Sequence, residues 1–184
     1  MGNTVSATVK TKWVLDPSHS ELSFKVKHLM ISNVKGEFRK FTAEVNGSDF
    51  TSAPIKVSID TASIFTNDDA RDGHLKSADF FDAENYNEIL FESSSFKKVD
   101  DENYKLLGQL TIKGITSPVS LDVEFGGIGK DPWGNEKAAF SISGKILRSN
   151  WGLNWNAALE AGGVLVSDEV RIHADIQLVK KSGE

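Results

Sequence analysis

Apolar residues recur at every second position along most of this chain, the spacing of strands that bury one face and wet the other. From His19 to Met30, Leu22, Phe24, Val26, His28 and Met30 share one face, and Ser23, Lys25 and Lys27 share the other. A strand of this length would extend roughly 40 Å, which suits the wall of a tall barrel. Before it, Trp13-Val14-Leu15 predicts a short strand stopped by Asp16-Pro17. After it, Val34, Gly36 and Phe38 alternate with Lys35, Glu37 and Arg39, and near Lys40-Phe41 the parity flips to Phe41, Ala43 and Val45. A β-bulge there would re-aim the strand, as the corner of a barrel requires.

The same period continues through Ile55-Val57-Ile59, Ile89-Phe91-Ser93 and Tyr104-Leu106-Gly108-Leu110-Ile112. It runs on through Val119-Leu121-Val123-Phe125, Phe140-Ile142-Ile146 and Val170-Ile172-Ala174-Ile176-Leu178, each register counted at every second residue. Asn46-Gly47-Ser48-Asp49, Asp100-Asp101-Glu102-Asn103, Gly114 to Pro118 and Asp131 to Asn135 supply the turns. Between Asn67 and Asp82 the alternation stops. Asn67, Asp68 and Asp69 are good N-cap and first-turn residues, and Ala70, Leu75, Ala78 and Phe81 follow, so a short helix over about 67–82 closes on Phe80-Phe81. A lone helix among strands can cover a sheet or plug a barrel end. The pattern predicts an all-β chain of about eight antiparallel strands. Their length and the single helix favour a closed barrel over a sandwich, since closure removes exposed edges.

The chain has 184 residues with no linker-like stretch and no internal repeat, so a single domain over 12–181 is expected after a frayed terminus at 1–11. A net charge of -5 sets it against nucleic-acid binding as its main task. There is no cysteine, which excludes disulfides, thiolate metal sites and cysteine nucleophiles. No apolar run approaches the roughly 18 residues of a membrane span. The N-terminus lacks a basic start and an apolar stretch, so the chain as written is expected in the cytoplasm, or in the periplasm if a signal was removed. His19, His28, His74 and His173 are scattered, and no H-E-x-x-H, G-x-S-x-G or phosphate loop is present. No enzyme activity, metal or cofactor is therefore expected, although a site assembled from distant strands would escape this search.

A barrel of about eight strands either fills its interior with side chains or holds one small ligand. Alternation alone leaves both open. Several fragments then bear on the choice: Trp13-Val-Leu-Asp-Pro-Ser-His19-Ser, Phe24 with His28-Leu29, and Gly36-Glu-Phe38. They are followed by Arg71-Asp72-Gly-His74-Leu75-Lys-Ser-Ala-Asp79-Phe80-Phe81-Asp82 and Gly108-Gln-Leu-Thr-Ile-Lys-Gly114-Ile-Thr-Ser-Pro118-Val. In this order they resemble the YceI-like family of bacterial polyisoprenoid-binding proteins over nearly the whole chain. The resemblance implies a lipocalin-like antiparallel barrel around a long apolar cavity. It also implies a polyisoprenoid or similar long-chain lipid as the guest, an isoprenoid quinone or a prenyl phosphate among them, and homodimers. Carriage, storage or stress protection of such lipids would be its purpose. Many relatives carry an export signal, which this chain as written lacks, and Asn87 stands where relatives often have proline.

The inward sets would line that cavity: Phe24-Val26, Phe38, Val57-Ile59, Phe91, Leu110-Ile112, Leu121-Val123, Phe140-Ile142 and Ile172-Ile176. Hydrocarbon burial is worth about 3 kcal/mol gross per isoprene unit, counting about four buried carbons at about 0.8 kcal/mol each, so a tail needs no directional bond. His28 is either a hydrogen-bonded residue of the core or a contact of the guest. Arg148, in register with Ile142 and Ile146, is expected near a mouth, either paired with a buried Asp or holding a quinone carbonyl or prenyl phosphate. Arg71 and His74 would either pin the helix or meet a head group. Phe80 and Phe81 would anchor the helix and touch the tail, and Trp151 and Trp155 would line the opposite mouth or pack under a loop. A fatty acid or fatty amide is the rival guest. A structural β module with a filled core, or an enzyme with an unrecognised site, is the rival class.

Overall fold

The computed structural model describes residues 10–157, 159, 163 and 165–183. In chain order the elements are β1 (Lys10–Leu15), β2 (Glu21–His28), β3 (Ser32–Phe38), β4 (Phe41–Asn46), β5 (Ile55–Asp60) and β6 (Ile64–Phe65). They continue with α1 (Asp69–Lys76), β7 (Glu88–Lys98), β8 (Asn103–Ile112), β9 (Ile115–Lys130), β10 (Glu136–Leu147) and β11 (Val166–Gly183). Eight strands close a ring in the order β1-β4-β5-β7-β8-β9-β10-β11 and back to β1, every pairing antiparallel, while β2, β3 and β6 extend the sheet from β11. No helix among the described residues is long and apolar enough to cross a membrane.

Closure depends on the length of β11. Its second half pairs with β1, Val179 opposite Val14, and its first half with β2, Ile172 opposite Phe24. β1 and β2 therefore share one edge of β11 and are parted by a turn at Pro17–His19, where Asp16 caps the Ser18 amide at 3.2 Å. The expected strand from His19 to Met30 is shorter at both ends. Pro17–His19 occupies its start, and Leu29 and Met30 turn the chain with φ of 56° and 64°.

The expected bulge near Lys40 is instead a two-residue break. β3 pairs with β2 and β6, whereas β4 pairs with β1 and β5, so the parity flip aims Phe38 and Phe41 inward from two differently placed strands. Residues 1–9 of the expected frayed terminus lie outside the described residues. Lys10 and Thr11 belong to β1, because β11 runs far enough to pair them with Gly183 and Ser182.

The helix is also shorter than 67–82. Asp68 is its N-cap, accepting the Arg71 amide at 3.0 Å. At its end Ser77 donates both its amide and its hydroxyl to the His74 carbonyl, at 3.1 and 2.6 Å. Such a side-chain bond competes with the helical ladder, and Phe80 and Phe81 follow in a turn in which the Phe81 amide returns to Leu75 at 3.0 Å.

Candidate ligand cavity

The barrel interior holds a cavity of about 620 Å³, within the roughly 300–1,000 Å³ typical of small-molecule sites. Its wall is apolar. Phe24 and Val26 of β2, Val57 and Ile59 of β5, and Phe91 of β7 line it on one side. Leu110 and Ile112 of β8, Leu121 and Val123 of β9, Phe140 and Ile142 of β10, and Ile172 and Ile176 of β11 complete it, with Phe38 at the break after β3.

Three inward glycines explain why these large side chains leave space between them. A Cβ on Gly36 would stand 2.3 Å from the ring of its cross-strand partner Phe24, and one on Gly108 would stand 2.5 Å from the ring of Phe91. Gly144 stands in the same relation to Leu121, at 2.5 Å. Each bulky side chain sinks into the vacancy over a neighbouring glycine and lies along the wall, so the lumen stays open. A Gly at an inward position of a strand was the legible signal of this close approach.

One end is closed by aromatic packing. Phe50, in the loop after β4, lies 4.9 Å from Trp13 and 5.1 Å from Phe140, and Phe140 stacks on Phe125 at 5.1 Å. Phe50 and Phe96 line the cavity and were missed by the alternation. Phe50 belongs to no strand. Phe96 follows a register shift between Ser93 and Ser95 that turns it inward; a bulge of this kind leaves only a break in parity behind.

α1 and the chain after β10 partly cover the other end, and most of the polar lining gathers here. His28, Thr66, Asp68, Arg71, His74, Arg148 and Trp155 all border the cavity. Most of their polar groups already have partners within the protein. Arg71 donates from Nε to the Thr66 hydroxyl at 2.8 Å and from Nη2 to the Thr66 carbonyl at 2.7 Å. His74 Nε2 meets Asp79 at 2.9 Å, and its ring stands edge-on to Phe80 and Trp155 at 5.1 and 4.7 Å. Arg71 thus holds the helix to Thr66, Phe80 packs against His74 and Trp155, and Phe81 meets Phe38 at 5.9 Å. The His28 ring makes no hydrogen bond among the described residues and faces the lumen.

Arg148 requires a correction. It is buried near the mouth as expected, but its partners are carbonyls rather than an Asp. Nε donates to Ser167 at 2.9 Å, Nη1 to Leu153 and to Trp155 at 3.0 Å, and Nη2 to Val166 at 3.2 Å. Burial lowers its pKa from the usual value and the nearby Asp168 opposes that shift. Arg148 thereby ties the segment after β10 to the start of β11.

Trp151 is the second correction. It is buried in the same core cluster as Phe91 and Leu110, with Nε1 donating to the Leu110 carbonyl at 2.8 Å, and it does not border the cavity. Trp155 borders it at the helix end, not at the opposite mouth, since it packs on Phe80 at 5.4 Å.

No group of three or more His, Asp or Glu side chains suited to a metal ion is present among the described residues. The chain is 42% identical to UPF0312 protein SA2479 of Staphylococcus aureus over 170 residues, 91% of this chain and 96% of that protein. Its fold matches BcnA of Burkholderia cenocepacia with a TM-score of 0.76 at 25% identity, covering 89% of this chain and 98% of that one. It matches a YCEI protein of Campylobacter jejuni with a TM-score of 0.71 at 34% identity, covering 84% and 90%. A polyisoprenoid binding domain from Saccharophagus degradans shares the fold at 14% identity, with a TM-score of 0.68 and 92% and 98% of the two chains covered. The family model for the YceI-like domain matches residues 13–178, almost the whole barrel just described. The chain therefore belongs to the YceI-like family.

Proposed function

We propose that the barrel binds a polyisoprenoid or similar long-chain lipid, its tail along the cavity and its polar head at the α1 end. The observation that carries this is the apolar lumen of about 620 Å³, held open where large side chains sink over Gly36, Gly108 and Gly144. A core meant only for stability closes such a void, because interiors pack to crystal-like density. The fold neighbour described as a polyisoprenoid binding domain is consistent with an isoprenoid guest. The choice of an isoprenoid over a fatty acid or fatty amide rests on the family, since hydrocarbon burial does not distinguish the tails.

The committed state of the two arginines at the mouth favours an uncharged head. Arg71 is held by Thr66 and Arg148 by backbone carbonyls, so a prenyl phosphate would have to compete for both guanidinium groups, and Lys27 is the lining cation whose side chain has no partner among the described residues. A quinone needs no counter-charge. Solvent extraction of protein purified without detergent, followed by mass spectrometry, tests both points. An isoprenoid quinone at one per barrel is the expected result. A prenyl phosphate would overturn the head-group assignment and a fatty acid or amide the tail. No extractable lipid together with no uptake of added ubiquinone would overturn the proposal itself.

A further inference from the structure

The turn joining β2 to β3 is apolar and exposed, with Leu29 at 42%, Met30 at 51% and Ile31 at 85% of full exposure. Turns with two consecutive positive φ values ordinarily carry asparagine and glycine. Leu29 and Met30 adopt φ of 56° and 64° here, so this apolar tip is not the ordinary choice for its backbone. The tip is also held in place. The Leu29 amide donates to Leu165 at 2.8 Å, the Ile31 amide to His28 at 3.3 Å and the Ser32 hydroxyl to His28 at 3.2 Å. A fixed turn thus presents three apolar side chains to the surroundings.

Below the tip, the outer wall carries a line of cations. Lys145 of β10 lies opposite Arg171 of β11, Arg171 opposite Lys25 of β2, and Lys25 opposite Lys35 of β3. Like charges directly opposite destabilise a sheet, and this row of four stands in a chain of net charge -5. Glu169 approaches Lys145 at 4.0 Å and Arg171 at 3.5 Å, while Lys25 and Lys35 have no ion pair among the described residues. The row spans about 14 Å across the sheet and lies about 13 Å along the strand from the tip. His28 and Val34, at the base of the turn, border the cavity, as does Leu165.

We infer that this end of the barrel docks onto an anionic lipid bilayer. Leu29, Met30 and Ile31 enter the headgroup layer, and the cation row meets lipid phosphates. Interfacial elements bury their apolar face about 5–10 Å, which brings the row to within a Debye length, about 8–10 Å, of those phosphates. The cavity end bordered by His28 and Leu165 then faces the bilayer, giving a lipid a short path in or out. A nucleic acid would also meet the cations, but it gives the apolar tip nothing. Docking does not depend on which lipid the cavity holds, so it can fail without the cavity assignment failing.

Co-sedimentation of the full chain with vesicles of equal parts phosphatidylglycerol and phosphatidylcholine, against phosphatidylcholine alone, tests the inference. Binding to the anionic vesicles is expected, falling as salt rises. Each basic residue near an anionic surface contributes roughly fivefold to partitioning, so Lys25→Glu with Lys35→Glu should weaken binding by about tenfold or more. Ile31→Asp should weaken it as well. Ile31→Trp should give a blue-shifted emission only with anionic vesicles. All four changes are on the surface, and unchanged circular dichroism and melting are the controls for folding. No binding to anionic vesicles, or equal binding to both kinds, would overturn the inference. A concentration-dependent dimer that Ile31→Asp abolishes, with vesicle binding unaffected, would assign the tip to a second copy instead.

Discussion

Asp72 and Thr66 are joined twice. One carboxylate oxygen of Asp72 accepts the Thr66 amide at 2.8 Å and also its hydroxyl, both residues being buried. Arg71 grips the same threonine from its other side. The helix is thereby attached to the end of β6 through a single residue, which explains how a helix of two turns stays over the barrel. Asp72→Ala leaves a buried Thr66 N–H without a partner, at a cost of about 1–3 kcal/mol. The urea midpoint should fall with its slope unchanged, and amides of α1 should exchange faster.

Leu110 faces the lumen and Lys25 faces out. Leu110→Arg would place an unpaired charge in an apolar cavity, so the purified variant should carry no lipid and melt at a lower temperature. Lys25→Glu should keep the full lipid content at equilibrium, whatever it does to transfer from membranes. A large loss of content in Lys25→Glu would show that β2 presents its other face inward.

The glycines beneath Phe24 and Phe91 should respond differently to alanine. At Gly108 the new Cβ would meet the Glu92 carbonyl at 2.6 Å as well as the Phe91 ring, and the backbone of the wall cannot yield. A loss of about 1–3 kcal/mol is expected. At Gly36 the near contacts are atoms of the Phe24 ring, which can swing into the lumen. Gly36→Ala should therefore fold but bind less lipid, as read by melting temperature and by extracted lipid per barrel.

Arg148→Lys replaces five donors with three, so carbonyls of the segment after β10 lose partners. A loss of about 1–3 kcal/mol is expected, with lipid content retained, measured by denaturant unfolding and extraction. Lipid loss at unchanged stability would instead make Arg148 a contact of the head group.

Acid stability should depend on Asp16. The Lys137 ammonium at 2.8 Å, with help from Ser18 and His19 and against the effect of burial, holds this carboxyl well below the usual carboxylate range. A depressed folded pKa means the contribution is complete above the unfolded value of about 3.9 and is lost as the pH falls from there through the folded value. Lys137→Met should flatten that acid limb, seen as a smaller fall in melting temperature between pH 5 and pH 2 than in the parent chain.

Much of the cavity wall was visible in the alternation. Phe24, Val57, Leu110, Val123, Ile142 and Ile172 all lie on the faces their parity assigns, and all border the lumen. Parity is a local property, fixed by the alternating direction of successive Cβ atoms. It fails where the strand itself is irregular, as at Phe96 beyond the Ser93–Ser95 shift, or where no strand exists, as at Phe50. Asp68 as a helix cap was equally local and equally legible.

The sequence by itself determined which residues point the same way along each strand, where the one helix begins, and the family to which the ordered fragments belong. Only the tertiary structure decided that the interior is open, because the vacancy above Gly36 or Gly108 is filled by a ring from the adjacent strand. It also decided that Arg148 binds carbonyls of Leu153, Trp155, Val166 and Ser167 and that Trp151 is bonded to the Leu110 carbonyl and does not border the lumen. These are relations between strands and segments brought together by closure and register, and the period of a single strand carries no information about its neighbour's offset.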